Sequence, residues 1–207
     1  MTDEMILDHL IKLFPNAHCE LNHTSAYELT VAVMLSAQST DVSVNKVTPK
    51  LFARYSNINE LAQADVNEIE QMIKTIGLYR NKAKNLKNMA QHCLSYYNGE
   101  IPNTLNDLIS LPGIGRKSAN VILSVWFNIA AIAVDTHVER VAKRLGLAPI
   151  DASVMMVETN LMERFSSDSW SLLHHLLIFF GRYKCFARNP DCIHCPFIAI
   201  CKKDALD

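Results

Sequence analysis

Apolar positions recur at helical spacing along nearly the whole chain. Val138, Val141, Ala142 and Leu145 follow the i, i+3, i+4, i+7 rule, and Leu172, Leu173, Leu176 and Phe180 follow it approximately. Alternating apolar and polar runs long enough to make strands are missing. Start signals precede several stripes: Ser25 with Glu28, Asn57 with Glu60, and Asp65 with Glu68 each set a capping side chain three residues before an acid. The 6 glycines and 7 prolines of the 207 residues sit mostly at breaks between periodic segments. The pattern predicts an all-α fold of eight to ten helices joined by short turns. No Gly/Ser-rich or Pro-rich linker interrupts it, so composition marks no boundary between lobes.

The longest unbroken apolar runs, 129–134 and 176–180, are far shorter than the roughly 20 residues a membrane-spanning helix needs. The first residues carry no basic stretch before a long apolar core, so no secretory signal is expected and the chain reads as a soluble cytoplasmic protein without a membrane partner. Apolar residues make up 49% and charged residues 20%, an ordinary globular balance that excludes disorder and collagen-like structure. The net charge of −1 hides an uneven distribution. Between 74 and 87 the chain carries Lys74, Arg80, Lys82, Lys84 and Lys87 with no acid, while Glu60, Asp65, Glu68 and Glu70 precede them. A neutral chain can therefore present one basic face, although a charge run alone is equally a solvated helix surface.

Four of the 6 cysteines lie at the end of the chain, as Cys185-x6-Cys192-x2-Cys195-x5-Cys201. In a reducing compartment such a cluster points to metal rather than to disulfides. Zinc ribbons use two Cys-x2-Cys knuckles and only one is present; spacing alone leaves zinc and an iron–sulfur cluster both open. Cys19 and Cys93 stand apart and read as small buried apolar residues.

Leu111-Pro112-Gly113-Ile114-Gly115-Arg116-Lys117 separates two helical segments, roughly 104–111 and 116–127. Two glycines two apart let a ligand approach the main chain. The turn opens into a helix whose first amides lack internal partners and carry partial positive charge, a setting that suits phosphate. A tight helix–helix connection accounts for the glycines equally well. A lysine at a helix N-terminus is disfavoured in its charged form, which leaves more of the amine neutral and nucleophilic. Ala133-Val134-Asp135-Thr136-His137 follows, and Asp135 reads as an N-cap, a role compatible with catalysis because a capped carboxylate is a fixed one. A faint echo, Ile76-Gly77 before Arg80 and Lys82 against Ile114-Gly115 before Arg116 and Lys117, reads as a repeated local device.

Residues 111–120 together with Val134-Asp135-Thr136-His137 resemble the helix-hairpin-helix DNA glycosylases, with their Gly/Pro-rich loop and catalytic aspartate. The lysine variant resembles the endonuclease III family of glycosylase/AP lyases, as do Leu35-Ser36-Ala37-Gln38-Ser39-Thr40-Asp41 and Thr75-Ile76-Gly77-Leu78-Tyr79, and the likeness covers nearly the whole chain. It implies two helical lobes: a six-helix barrel-like domain with the hairpin at 19–129, and an iron–sulfur domain of 1–18 plus 130–207, with a DNA cleft between them. The resemblance also implies a [4Fe-4S] cluster on Cys185, Cys192, Cys195 and Cys201, with Lys117 and Asp135 as catalytic residues. Gln38 and Leu78 would fill the space of an extruded nucleotide. Leu111, Gly113, Gly115 and Arg116 would meet the DNA backbone, with Arg188 as the lone base in the first cysteine spacer. His137, Asp41 and Tyr79 lie in or beside matched motifs without an assigned role.

The implied activity is removal of oxidised pyrimidines from duplex DNA, followed by cleavage 3′ to the abasic site by β-elimination through a lysine Schiff base. The partner is double-stranded DNA containing damaged pyrimidines or abasic sites, bound by a monomer that is nucleoid-associated while on DNA. An adenine mismatch glycosylase of the same fold is disfavoured by Lys117 and by a chain that stops six residues after Cys201. A non-catalytic DNA-binding helical protein and an iron–sulfur electron carrier are the alternatives from other classes.

Overall fold

In the computed structural model, which describes residues 1–203, eleven α-helices and one short 3₁₀ turn account for all regular structure among the described residues. The expectation of eight to ten falls short by one; α4 (Ile58–Gln63) and α5 (Val66–Met72) are helices of only 6 and 7 residues. The chain divides into two compact units, Glu20–Phe127 and Met1–Cys19 with the chain from Asn128 onward.

The unit Glu20–Phe127 holds α2 (Ala26–Ser36), α3 (Asp41–Arg54), α4, α5, α6 (Tyr79–Tyr96), α7 (Leu105–Ser110) and α8 (Arg116–Val125). Helix α2 is apolar on all sides and buries every residue from Tyr27 to Leu35 except Glu28, as a central helix must. The start signals work, with a variation. Ser25 and Asn57 cap α2 and α4 by accepting the amides of Glu28 and Glu60. The two acids then reach back to the amides of Thr24 and Ser56, one residue ahead of the cap. Glu68 does not close a box: it takes a two-pronged bond from Arg54 instead, at 2.7 and 3.3 Å. That ion pair holds the Glu68 carboxyl below the usual range.

The second unit is built from α1 (Asp3–Leu13), α9 (Thr136–Arg144), α10 (Val154–Arg164) and α11 (Trp170–Tyr183). Val138, Val141, Ala142 and Leu145 form the buried stripe of α9. On α11 Leu173, Leu176 and Phe180 are buried, whereas Leu172 faces outward. Arg164 and Asp3 tie α10 to α1 at 2.6 Å. The apolar run 129–134 is not helical; its residues from Ala131 to Val134 are buried in an irregular segment that leads to Asp135. Cys93 is buried, which pushes its thiol up to about 11, while Cys19 is only half-buried, contrary to its reading as a core residue.

Candidate DNA-repair site

Lys117 is the second residue of α8. The helices flanking the hairpin, α7 and α8, end slightly inside the segments expected from sequence. Gly113 stands at φ +85°, and a Cβ there would lie 2.9 Å from the Asn85 Cβ on α6, so both the conformation and the closeness to α6 require glycine. Leu111 and Ile114 anchor the turn in the core; Leu111 is 1% exposed, which leaves only its backbone for any contact outside the protein. Gly115 is the N-cap of α8 and no side chain caps that helix; Arg116 and Lys117 occupy its first turn with no acid. Arg116, Lys117, Gly113 and Gly115 are all exposed.

Asp135 heads α9 in the other unit. Its Oδ1 accepts the amides of His137 and Val138, both at 2.8 Å, and the side chain is half-buried. A carboxylate held by two amides on one oxygen is fixed in position with its second oxygen outside the cap. His137 sits beside it with its imidazole held below the ordinary range, chiefly by burial.

Two turns of the first unit carry the pair expected to enter DNA. Gln38 follows the end of α2 at φ +55°, and Leu78 precedes α6 at φ +58°. For residues with side chains, the left-handed region costs roughly 1–2 kcal/mol each. Neither is buried: Leu78 is 57% exposed and Gln38 faces outward in a turn rather than along a helix. The turns abut, since a Cβ on Gly77 would stand 3.3 Å from the Gln38 carbonyl oxygen.

The basic run 74–87 divides. Lys74, Arg80 and Lys84 are exposed and Lys87 half-buried, but Lys82 is 7% exposed and belongs to the interior. Its ammonium donates to the carbonyls of Leu35 and Ala37 and to Ser39 Oγ, and burial lowers its pKa. Sequence reasoning missed this residue. The available signal was position: Lys82 lies on the same stripe as buried Leu86, Met89 and Cys93.

The four late cysteines share one neighbourhood in the second unit. Burial pushes the Cys195 thiol up, and Cys185, Cys201 and Cys192 push it the same way by like charge. Phe197, buried in the core against Phe180 at 5.3 Å, anchors the segment. Arg144 donates to Cys185 Sγ at 3.3 Å and to the carbonyls of Phe186 and Ala187. Among the described residues no three His, Cys, Asp or Glu side chains are gathered closely enough to hold a single metal ion. Four cysteine sulfurs with a guanidinium beside one of them make a donor set that fits a larger, negatively charged iron–sulfur centre. Arg188 is exposed in the first spacer, whose ends are joined by Lys184 and Asp191 at 3.0 Å.

Residues 31–167 match the HhH-GPD superfamily of base excision DNA repair proteins. An endonuclease III of Bacillus subtilis is 49% identical over 200 residues, covering 97% of this chain and 91% of that protein. An endonuclease III of Escherichia coli is 42% identical over 203 residues, covering 98% and 96%. A solved structure of a trapped endonuclease III–DNA covalent intermediate superimposes with a TM-score of 0.94 at 48% identity, covering both chains completely. With its hairpin, its aspartate-headed helix and its terminal cysteines on this fold, the chain belongs to the HhH-GPD superfamily of base excision DNA repair proteins and, within it, to the endonuclease III family.

Proposed function

We propose that the protein is a bifunctional DNA glycosylase and abasic-site lyase that removes oxidised pyrimidines from double-stranded DNA. The observation that carries this reading is Lys117: an exposed amine in the first turn of a helix that no side chain caps, immediately after a glycine turn. The relative trapped on DNA as a covalent intermediate supports it.

The reacting atom, the sugar C1′, is buried in the base stack, so the nucleotide is first extruded at a cost of a few kcal/mol. Gln38 and Leu78 fill the vacated space, and their exposed, left-handed turns support that role. The hairpin amides and Arg116 hold the phosphates. Lys117 Nζ attacks C1′ through its lone pair as the bond from C1′ to the base breaks; the bonding pair leaves with the base, which takes up a proton. Positive charge grows on the sugar in this step, and the Asp135 carboxylate stabilises it. Opening of the C1′–O4′ bond and loss of the amine proton give an imine. The imine acidifies C2′; loss of a C2′ proton expels the 3′ phosphate with the C3′–O bonding pair, and the strand is cut 3′ to the lesion.

Cys185, Cys192, Cys195 and Cys201 hold a [4Fe-4S] cluster, with Arg144 offsetting charge at Cys185 Sγ. When bound, the cluster supplies a structural and DNA-docking centre, because base removal and β-elimination balance without an electron. Cys195→Ser therefore lowers the yield of soluble, coloured protein before it affects chemistry; a folded, coloured and active variant would falsify the ligand set.

The domain assignment, 19–129 for the hairpin and 1–18 with 130–207 for the cluster, belongs to the same reading, although 204–207 lie outside the described residues. So do a monomeric state and a cytoplasmic place of action. No helix of the described residues is long and apolar enough to cross a membrane.

Borohydride trapping on a duplex bearing one thymine glycol, with wild type and Lys117→Ala side by side, tests the proposal. A covalent adduct with wild type alone is expected. A blank on that duplex and on an abasic duplex, with intact protein, ends the bifunctional reading.

A further inference from the structure

We propose that Lys82 is a positioning residue that sets the Gln38 and Leu78 turns as one rigid wedge, so that neither turn has to be ordered when DNA is opened. The proposal rests on the assignment of Gln38 and Leu78 as the residues that enter the duplex.

The Leu35 carbonyl lies in the last turn of α2, beyond the reach of the helix's own amides, and no basic residue lies in that turn to meet it. Lys82 arrives from α6 to do so. Its ammonium has three protons and finds three acceptors: the Leu35 carbonyl at 2.8 Å, the Ala37 carbonyl at 2.5 Å and Ser39 Oγ at 3.2 Å. Ala37 and Ser39 are the immediate neighbours of Gln38. The ammonium therefore grips the chain on both sides of Gln38, which is turned outward in a left-handed conformation.

The same residue fixes the other turn. The Lys82 amide donates to the Leu78 carbonyl at 3.1 Å, the first helical bond of α6. Lys82 thus holds Leu78 through its backbone and Gln38 through its side chain. Gly77 completes the junction, lying so close to the Gln38 carbonyl that a Cβ would stand 3.3 Å away. A buried ammonium is costly unless fully hydrogen-bonded, and a leucine or methionine at this place on the α6 stripe would satisfy the core alone. The charge serves the turn.

Lys82→Met keeps the volume and the Leu78 bond but releases the Gln38 turn. Two measurements separate positioning from plain stability: single-turnover base removal from a thymine glycol duplex, and borohydride trapping on a single-stranded abasic oligonucleotide, which requires no extrusion. Lys82→Met lowers the duplex rate at least tenfold and leaves single-strand trapping within about twofold. In a Gln38→Ala background it costs no more than a further twofold on the duplex, because it acts through that residue. Where Lys82→Met does not yield folded protein, Ser39→Ala carries the test, with a loss of threefold or more on the duplex that vanishes in the Gln38→Ala background. Equal losses on both substrates, or the same loss in both backgrounds, overturn the proposal. A Gln38→Ala protein with an unchanged duplex-to-single-strand ratio overturns the wedge assignment itself, and this proposal with it. A lowered ratio in Gln38→Ala and none in Lys82→Met or Ser39→Ala overturns the role of Lys82 alone.

Discussion

The starts of α8 and α9 are built from the same part and finished in opposite ways. Each is a helix N-terminus with unpaired amides and partial positive charge. At α9 the protein answers that charge itself: Asp135 accepts two amides at 2.8 Å, and Glu139 adds a second acid in the first turn. At α8 it does not answer it. The cap is Gly115, no side chain closes the amides, and Arg116 and Lys117 add positive charge. Most helices in the chain resemble α9, capped by Thr2, Ser25, Thr40, Asn57, Asp65, Thr104 or Ser153. Besides α8, α6 and α11 start without a side-chain cap, and α6 follows its N-cap Leu78 with Arg80 in its first turn. A helix N-terminus without a side-chain cap suits an outside anion, and under the proposed function a phosphodiester would be that anion. The self-answered end instead fixes a carboxylate, which under the proposed function would stabilise the growing positive charge on the sugar.

The sharpest break in this comparison is at the amine. Lys117→Ala removes the only group at the α8 start able to form an imine, so trapping falls to the background of the uncatalysed reaction while duplex binding persists. Adduct formation on a gel reads this directly, and an undiminished adduct would place the nucleophile elsewhere. Next in size is Asp135→Asn. Asparagine caps a helix about as well as aspartate, so melting temperature barely moves, but the negative charge is gone. Loss of one preorganised electrostatic group costs roughly 10²–10³ in rate. Single-turnover base removal from a thymine glycol duplex should fall by that order. A variant that keeps both its melting temperature and its rate would show that Asp135 is a cap and nothing more.

How much of this was legible in the sequence follows from which properties are local. The stripe of α9, the caps at Ser25 and Asn57, and the all-helical fold are periodic or short-range, and each was readable. Gly113 was readable as a turn glycine, but not the reason it is indispensable, because Asn85 comes from a helix far back in the chain. Gln38 and Leu78 announced nothing of their backbone, since neither residue type favours positive φ. Lys82 was misread as part of a solvated face because its acceptors lie 43 to 47 residues away. The two-pronged bond of Glu68 to Arg54, in place of a capping box, is the same kind of miss. Sequence spacing reveals what a residue can do with its neighbours in the chain, and these side chains act on distant ones.

The smallest effect comes from making the two helix starts alike. Nothing lies within 4 Å of a Cβ built on Gly115, and its φ of −97° suits any residue. Gly115→Asp therefore gives α8 a carboxylate cap like that of α9 without a steric cost. Replacing a glycine cap by aspartate stabilises a helix by only a few tenths of a kcal/mol, so the melting temperature rises slightly or holds. Duplex affinity should fall about tenfold at low salt, with a shallower salt dependence, because a fixed carboxylate now occupies the place of a phosphate and one fewer counterion is released on binding. Gly115→Ala, which adds the Cβ without the charge, should leave the slope as it is. Were Gly115→Asp to bind duplex with unchanged affinity and slope, the open end of α8 would be a tight turn between helices and no more, and the contrast with α9 would lose its functional meaning.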